Sequence, residues 1–487
     1  MEPATAPPFS AAICQQARLT RDARFDGLFF TAVRTTGIYC RPVCPAPTPH
    51  ERNIVYFSSA AAASAAGFRP CLRCRPEAAP GSPLHRARSE LVRAALRLIE
   101  DGALDDAPLA TLAARIGVGE RHLRRLFAEE LGASPLDVAA TRRLLFAKQL
   151  LIETAMPVTT IAGAAGYASV RRFNAAFVAA YGRPPRDFRR TRQPARTTAA
   201  AIELTLPYRP PYDFRALLAF YARRAIPGVE IVDASTYRRS VIVDGRSAMI
   251  EVDASPHRDA LRLRVHGAAA PALGALVARV RRMFDVDADP RAIAAKLRGD
   301  AWLRPLVKRW PGQRLPGAWD GFELAVRAVL GQQVSVGAAR TLAARLVQRH
   351  GTAHPESAAF GLGALFPSPS TLAEADIEAI GLPRARATAI RAIAQATLDG
   401  RIGFGAEQTL TDFVARLAAL PGIGAWTAHY IAMRALSQPD AFPAGDLVLR
   451  KLAGDGKPVS ERAMETRAEA WRPWRAYAVM LLWRSAA

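Results

Sequence analysis

Four cysteines spaced Cys40-x3-Cys44-x26-Cys71-x2-Cys74 are the residues whose pattern speaks most directly of chemistry. Two close pairs, far apart in sequence, let each short loop supply two thiolates to one tetrahedral zinc ion, and the metal ties the halves together. A disulfide scaffold would be out of place in a soluble intracellular chain of this size. In a unit of about 80 residues with a thin core, zinc would supply much of the folding energy. Spacing does not separate a structural staple from a reactive site. A thiolate is nevertheless the nucleophilic form of cysteine, and bound zinc keeps it deprotonated at neutral pH. The fifth cysteine, Cys14, stands outside the set and reads as an ordinary core residue.

A second constellation lies towards the C-terminus. Leu420-Pro421-Gly422-Ile423-Gly424 reads as a turn between two helices, followed by Trp426 and, 22 residues after Gly424, by Asp446. Gly422 and Gly424 let the backbone approach a phosphate closely, and amides at the next helix start can bind it. Asp446 could act as a helix N-cap, as a charged group in a site, or as both.

The elements that must position these residues fall into blocks. Pro76–Pro83 and Arg189–Ala201 are turn-rich and lack an apolar period, so they read as linkers. In the middle block Leu112, Gly117, Leu123, Phe127, Gly132 and Pro135 recur as Ile161, Gly166, Phe173, Phe177, Gly182 and Pro185, offset by 49 and then 50 residues. This is a duplicated helix-turn-helix unit, with turns at Gly117–Gly119 and Gly166–Ala168 and a linking helix over about 135–152. Arg121, His122 and Arg125 in the first copy, and Arg171, Arg172 and Asn174 in the second, are expected to be exposed on the second helix of each copy. Leu123, Phe127, Phe173 and Phe177 are expected in the core. Strand-like alternation at 204–206, 240–244, 247–252 and 260–265 predicts a small antiparallel sheet, and from about Ala270 the pattern is helical.

The 487 residues exceed what one core can serve. The expected fold class is multidomain: a small α+β four-cysteine zinc domain at 1–78, an all-α double helix-turn-helix domain at 84–190, an α+β part with a small antiparallel sheet at 200–270, and an all-α helix-hairpin-helix part at 271–487. The formal charge of +23 is spread over every block, with nine Arg against five acids in residues 1–83, 19 cations against 11 acids in 84–196, and 38 against 27 beyond. A polyanionic partner explains this, and nucleic acid fits best. The residues before Ser10 do not read as a signal peptide and no apolar run reaches a membrane span, so no membrane partner and a cytoplasmic location are expected.

Longer motifs add resemblances. AVRTTGIYCRPVC (Ala32–Cys44) and AAGFRPCLRCRPE (Ala65–Glu77) closely resemble the N-terminal domain of the Ada adaptive-response family. That resemblance implies that Cys40 accepts a methyl group from a DNA methyl-phosphotriester, with Cys40, Cys44, Cys71 and Cys74 as ligands of one zinc ion that is both structural and nucleophile-activating. Four thiolates on Zn²⁺ carry a net charge of −2, and methylating one leaves −1, which should strengthen binding to phosphates. The family's two arginines after the second cysteine are replaced here by Pro45-Ala46-Pro47. Residues 88–189 resemble an AraC-type DNA-binding domain, in which the second helix of each copy enters the major groove, and this implies Arg121, His122, Arg125, Arg171, Arg172 and Asn174 as candidates for DNA contact.

From Leu204 to Trp483 the chain resembles helix-hairpin-helix DNA glycosylases of the AlkA 3-methyladenine type, through PPYDF (Pro210–Phe214), RLPGAWDGFELAVRAVLGQQVSV (Arg314–Val336), LPGIGAWTAHYIAMR (Leu420–Arg434) and WRPWRAYAVMLLW (Trp471–Trp483). The resemblance implies Asp446 as the catalytic aspartate, Trp426, Tyr430 and Trp483 as the base pocket, and Gly422, Gly424 and Gln333 at the DNA. Trp426 stands where related bifunctional enzymes carry a lysine, so hydrolytic excision without Schiff-base lyase chemistry is expected. Two departures are Gln333, in place of a wedging leucine, and Arg484, in place of a tyrosine. No Pro-Cys-His-Arg motif of a methyl-guanine transferase is present.

The expected function is a methyl-phosphotriester sensor, transcription regulator and DNA-3-methyladenine glycosylase in one chain. Its partners would be double-stranded DNA, both alkylated and promoter, and RNA polymerase. The alternative is a transcription regulator whose glycosylase-like part only binds DNA.

Overall fold

The computed structural model describes residues 7, 9–81, 89–189, 201–267, 270–405 and 408–486. Of the two expected linkers, Ser82 and Pro83 and residues 190–200 lie outside the described residues. The chain divides into two compact units, Met1–Arg209 with His257–Ala278, and Pro210–Pro256 with Arg279–Ala487.

The first unit opens with α1 (Ala11–Leu19), started by the Ser10 hydroxyl accepting from the Ile13 amide. Then come β1 (Phe30–Val33), β2 (Ile38–Cys40), β3 (Ile54–Phe57), α2 (Ala60–Ala65) and β4 (Arg69–Pro70). The strands form a sheet in the order β3-β1-β2-β4, antiparallel except for the β2–β4 pair. Phe30, Ala32, Tyr39, Phe57, Ala62 and Ala63 pack as its core. The register pairs Tyr39 with Pro70, and the Cys71 amide donates to the Tyr39 carbonyl at 2.9 Å. Strand β2 ends on Cys40 and β4 runs into Cys71, so the sheet itself joins the halves of the cysteine motif.

The helical part follows as α3 (Glu90–Glu100), α4 (Leu109–Arg115), α5 (Glu120–Leu131), α6 (Pro135–Glu153), α7 (Val158–Ala164) and α8 (Val170–Tyr181). Helices α5 and α8 both end on a glycine with positive φ, Gly132 at +67° and Gly182 at +68°, a conformation that only glycine adopts without cost. Ser134 and Asp137 form a capping box that starts α6. Leu123 and Phe127, and Phe173 and Phe177, are fully buried at i,i+4 spacing on equivalent faces.

The chain continues with β5 (Ile202–Pro207), then α9 (Phe214–Ala222), β6 (Glu230–Val232), β7 (Thr236–Val243) and β8 (Arg246–Ala254) of the second unit, and returns to the first for β9 (Ala260–Gly267). Strands β5 and β9 pair antiparallel from Ile202↔Val265 to Pro207↔Ala260. In the second unit β6, β7 and β8 form an antiparallel meander.

The remaining helices are α10 (Leu273–Met283), within which the division falls, α11 (Pro290–Leu297), α12 (Leu303–Arg309), α13 (Gly321–Leu330), α14 (Val336–His350), α15 (Pro369–Glu374), α16 (Arg384–Leu398), α17 (Leu410–Ala418), α18 (Ala425–Ala435), α19 (Leu447–Ala453), α20 (Glu461–Ala468) and α21 (Arg475–Ser485). A two-residue ladder of β10 (Thr352–Ala353) and β11 (Ala364–Leu365) interrupts them. Strand β7 is fastened to α13 by buried charge. Arg239 pairs with Glu230 at 3.3 Å and with Glu323, while Arg327 pairs with Glu230 at 2.9 Å and Glu323 at 2.8 Å. Among the described residues no helix is long and apolar enough to cross a membrane.

Candidate functional site

The four cysteine sulfurs lie within 4.8 Å of one another, and Cys44 and Cys71 are 4.0 Å apart. A tetrahedral zinc ion with Zn–S bonds of ~2.3 Å needs sulfurs about 3.8 Å apart, so the donor set fits one zinc ion in both number and size. Cys71 and Cys74 are buried, whereas Cys40 and Cys44 are partly exposed. Cys40 and Cys44 also line a cleft of about 510 Å³, together with Thr36, Arg69, Arg73 and Tyr181. Arg41 braces the site from behind. Its amide donates to the Cys74 sulfur at 3.3 Å, its guanidinium donates to the Cys74 carbonyl at 2.9 Å, and it pairs with Asp26. Where the family's arginines are missing, Arg21 donates to the carbonyls of Pro45 and Ala46 at 3.5 and 3.4 Å. Cys14 is wholly buried in a separate cluster with Ala17 and Phe29. Burial, then the charge of Glu51, pushes its thiol up to about 11.

The zinc loops are packed against the helical part of the same unit. Lys148, on α6, donates to the Glu77 carboxylate at 2.8 Å and to the Cys71 carbonyl at 3.5 Å. Both side chains of that pair are at most 2% exposed. Arg75 bridges Glu77 at 3.1 Å and Glu153 at 3.3 Å. The start of the expected linker is therefore structural: Pro76–Ala78 is a helical turn whose Glu77 is held by α6. Ser58 and Ser59 donate to the Leu131 carbonyl, at the end of α5, at 3.3 and 3.2 Å.

Arg121, His122 and Arg125 on α5, and Arg171, Arg172 and Asn174 on α8, are all exposed. The copies differ in charge. Helix α5 carries Glu120, which pairs with Arg124 at 2.5 Å, and Glu129, which lies 3.9 Å from Arg125. Helix α8 has no acidic residue, and among the described residues Arg171 and Arg172 form no ion pair.

In the second unit Asp446 caps α19. Its Oδ1 accepts from the Leu449 amide at 3.0 Å and from Trp483 Nε1 at 3.2 Å, and its Oδ2 accepts from Trp426 Nε1 at 3.0 Å. The carboxylate is 8% exposed and lies at a cleft of about 1260 Å³. The Trp426 ring stacks on Tyr430 with centroids 5.5 Å apart and planes 7° from parallel, and Tyr430 meets Trp483 at 6.2 Å. These contacts bring Asp446, Trp426, Tyr430 and Trp483 together. Arg434 donates to the Tyr430 hydroxyl at 2.9 Å and is itself held by the carbonyls of Pro316 and Gly317 at 3.0 and 3.1 Å. Burial alone would raise the Tyr430 phenol, but the positive charges of Arg434 and Arg224 outweigh it and bring it down to about 8.

The hairpin turn between α17 and α18 has Gly422 at φ +77°, where an added Cβ would meet Ala389 at 3.0 Å. Gly424 is the N-cap of α18. Gln332 clamps the turn, donating to the Gly422 carbonyl at 3.0 Å and to the Thr427 hydroxyl at 3.2 Å. Gln333 is exposed at the cleft mouth with φ +56°. Val336, Leu447 and Val448, each more than 40% exposed, share that rim. Arg484 pairs with Asp213 at 2.8 Å. Sequence reasoning missed Phe220, Arg224 and Arg434 in the cleft, and Lys148 and Glu77 behind the zinc loops. Arg434 was within reach of it, since it stands one turn after Tyr430 on the same helix.

These parts define a multidomain protein with a four-cysteine zinc domain, a duplicated helix-turn-helix region and a helix-hairpin-helix glycosylase fold. Four family descriptions match the chain: the metal binding domain of Ada at residues 13–77, a helix-turn-helix domain at 112–191, the AlkA N-terminal domain at 203–320, and the HhH-GPD superfamily of base excision DNA repair proteins at 326–476. The chain is 41% identical to the "Probable bifunctional transcriptional activator/DNA repair enzyme AlkA" of Mycobacterium tuberculosis, over 96% of this chain and 95% of that protein. It is 34% identical to the DNA-3-methyladenine glycosylase 2 of Escherichia coli, over 57% of this chain and 96% of that protein. The solved structure of a 3-methyladenine DNA-glycosylase from Archaeoglobus fulgidus shares the fold, with a TM-score of 0.50 and 23% identity over 57% of this chain and 96% of that one. The chain belongs to the family of bifunctional transcriptional activator/DNA repair enzymes of the AlkA type.

Proposed function

We propose that this chain is an alkylation-damage response protein. It takes methyl groups from DNA phosphotriesters, regulates transcription through its helix-turn-helix pair, and hydrolyses the N-glycosidic bond of alkylated purines such as 3-methyladenine. The proposed division of labour is 1–78 for sensing, 84–190 for reading DNA, and 200–270 with 271–487 for excision. The observation that carries the reading is the Asp446 carboxylate, held by two tryptophan N–H groups beside stacked aromatic rings.

Excision needs a base drawn out of the stack into a pocket and a negative charge beside the sugar. The faces of Trp426, Tyr430 and Trp483 suit a flat, positively charged alkylated purine through stacking and cation–π attraction. As the glycosidic bond lengthens, the electron pair leaves with the base and positive charge grows on the sugar, where Asp446 stabilises it until water adds. No amine stands at Trp426, so no Schiff base forms. Gly422, Gly424 and Gln333 hold the DNA near the cleft.

In the sensor, Cys40, Cys44, Cys71 and Cys74 hold one zinc ion, which when bound supplies the charge that keeps the Cys40 sulfur a thiolate at neutral pH. The sulfur attacks the methyl carbon, the C–O bond breaks, and the phosphodiester leaves with the electron pair. The thioether remains, so each chain acts once. Arg121, Arg125, Arg171 and Arg172 are the proposed DNA contacts of the two reading helices. RNA polymerase is the proposed partner of the activator role, supported by the mycobacterial relative's name as a transcriptional activator, and the cytoplasm is the proposed location. Incubating the purified chain with methylated DNA and measuring released bases tests the excision reading. No release of 3-methyladenine above the uncatalysed rate would leave a regulator that merely binds DNA.

A further inference from the structure

Strand β5 opens the part matched by the AlkA N-terminal domain, and the first unit holds it and its continuation at two points. The first is Thr205. Its amide donates to the Glu153 carboxylate of α6 at 2.9 Å, and its carbonyl accepts from Gln149 of α6 at 2.8 Å. Strand β5 has β9 on one side only, so α6 takes backbone groups that an open sheet edge would leave exposed.

The second point is Arg209, just beyond the end of β5. Its side chain is buried in a socket made of backbone from the zinc domain and the turn that follows it. The guanidinium donates to the carbonyls of Asp26 at 3.2 Å and Pro80 at 2.9 Å. Gly27 and Gly81 leave the space for it, with φ of +70° and +85°. A Cβ at Gly81 would lie 2.7 Å from Arg209 Cζ and 2.8 Å from its Nη2. The carboxylate of Asp26 pairs with Arg41, and the Arg41 amide donates to the Cys74 sulfur at 3.3 Å. One aspartate thus joins the cysteine loops to Arg209.

A guanidinium does not shed its proton, and leaving it buried without acceptors is costly. Arg209 is therefore either seated in a formed socket or out in water. Beyond it the chain runs through Pro210–Asp213 into α9, whose Phe220 lines the base cleft.

We propose that this socket is an interaction surface by which the sensor's zinc site governs excision. With zinc bound, Asp26 and the Pro80–Gly81 turn seat Arg209 and fix the strand that leads into the cleft. Without zinc the socket opens and the strand is released. The effect on excision rests on the glycosylase reading above, whereas the hold on the strand does not.

The test measures hydrogen–deuterium exchange and single-turnover release of 3-methyladenine by the full chain, zinc-loaded and after zinc removal by a chelator. Parent, Arg209→Gln and Gly81→Ala proteins are compared. In the parent, zinc removal should cut the protection of amides 203–209 about tenfold or more, as expected for the loss of hydrogen bonds to a charged group, and base release should fall with it. The zinc-loaded variants should exchange at 203–209 as the zinc-free parent does, while the amides of α3 and α5 keep the protection of the loaded parent. Protection at 203–209 within twofold of the loaded parent in both variants overturns the inference. So does a loss that extends equally to α3 and α5 in both, because the socket then serves only the fold. Lost protection with unchanged release overturns the claim that the zinc site governs excision. Release of no base by the loaded parent instead sinks the glycosylase reading, and the exchange data still decide whether the socket holds the strand.

Discussion

Replacing Asp446 by asparagine should abolish base release, but the change has two effects that the hydrogen bonds let us separate. Oδ1 accepts from Leu449 and Trp483, while Oδ2 accepts from Trp426 alone. An asparagine that keeps its oxygen at the Oδ1 position preserves the helix cap and the Trp483 bond. Its amide nitrogen then faces the Trp426 N–H, donor against donor. A polar group left without a partner costs about 1–3 kcal/mol, and the low end applies here because Trp426 is partly exposed. Loss of the negative charge beside a developing sugar cation should cost about 10²–10³ in rate.

A second variant, Trp426→Phe, removes the competing donor and keeps the ring. Single-turnover release of 3-methyladenine should fall about 10²-fold or more in Asp446→Asn, both in the parent and in the Trp426→Phe background, with DNA affinity retained. Activity within about tenfold of the parent would refute the charge argument. So would recovery of the lost rate in the Trp426→Phe background, which would show that the loss came from the disturbed tryptophan.

Zinc analysis of the full chain should find one ion, retained by Cys14→Ala and lost with unfolding of the first domain in Cys71→Ala or Cys74→Ala; a cysteine-rich region that stays folded in strong chelator would contradict this. Methylation of Cys40 removes one negative charge close to DNA phosphates, so promoter affinity should rise roughly two- to thirtyfold at low salt and less at high salt. Equal affinity at both salts, with the methyl located on Cys40 by mass, would count against the switch. Lys148→Ala strands a buried Glu77 carboxylate whose remaining partner is Arg75, and should destabilise the first unit by about 3 kcal/mol. Denaturant unfolding reads this directly, and a change under about 1 kcal/mol would show that Arg75 alone suffices.

The zinc site is legible in the sequence because its chemistry is local: ligand type and loop spacing are both written along the chain, and β2 and β4 merely bring the two loops together. The duplicated helices are legible for a similar reason, since periodic apolar residues and glycines repeat at an offset of 49 and then 50 residues. Lys148 is not legible. A lone lysine on an amphipathic helix looks solvated, and its burial arises from Glu77 packing against it from 71 positions away. The Trp426 and Trp483 side chains are readable as π surfaces, but their N–H bonds to one carboxylate join residues 20 and 37 positions from Asp446. Strands β6, β10 and β11 hold three or two residues each, too few for an alternating pattern to register. Arg224 carries no motif at all, and its place in the cleft, stacked on Phe220, follows only from the folded chain.

The two serine hydroxyls on the Leu131 carbonyl tie the sensor to the far end of a reading helix. Helix α5 has 12 residues, so its groove-facing start and its tethered end are about 18 Å apart. That is the length of roughly five base-pair steps of ~3.4 Å. A rigid rod of this length acts as a ruler. With α5 in the major groove, as proposed above, the sensor would be held at a set remove from the bases being read.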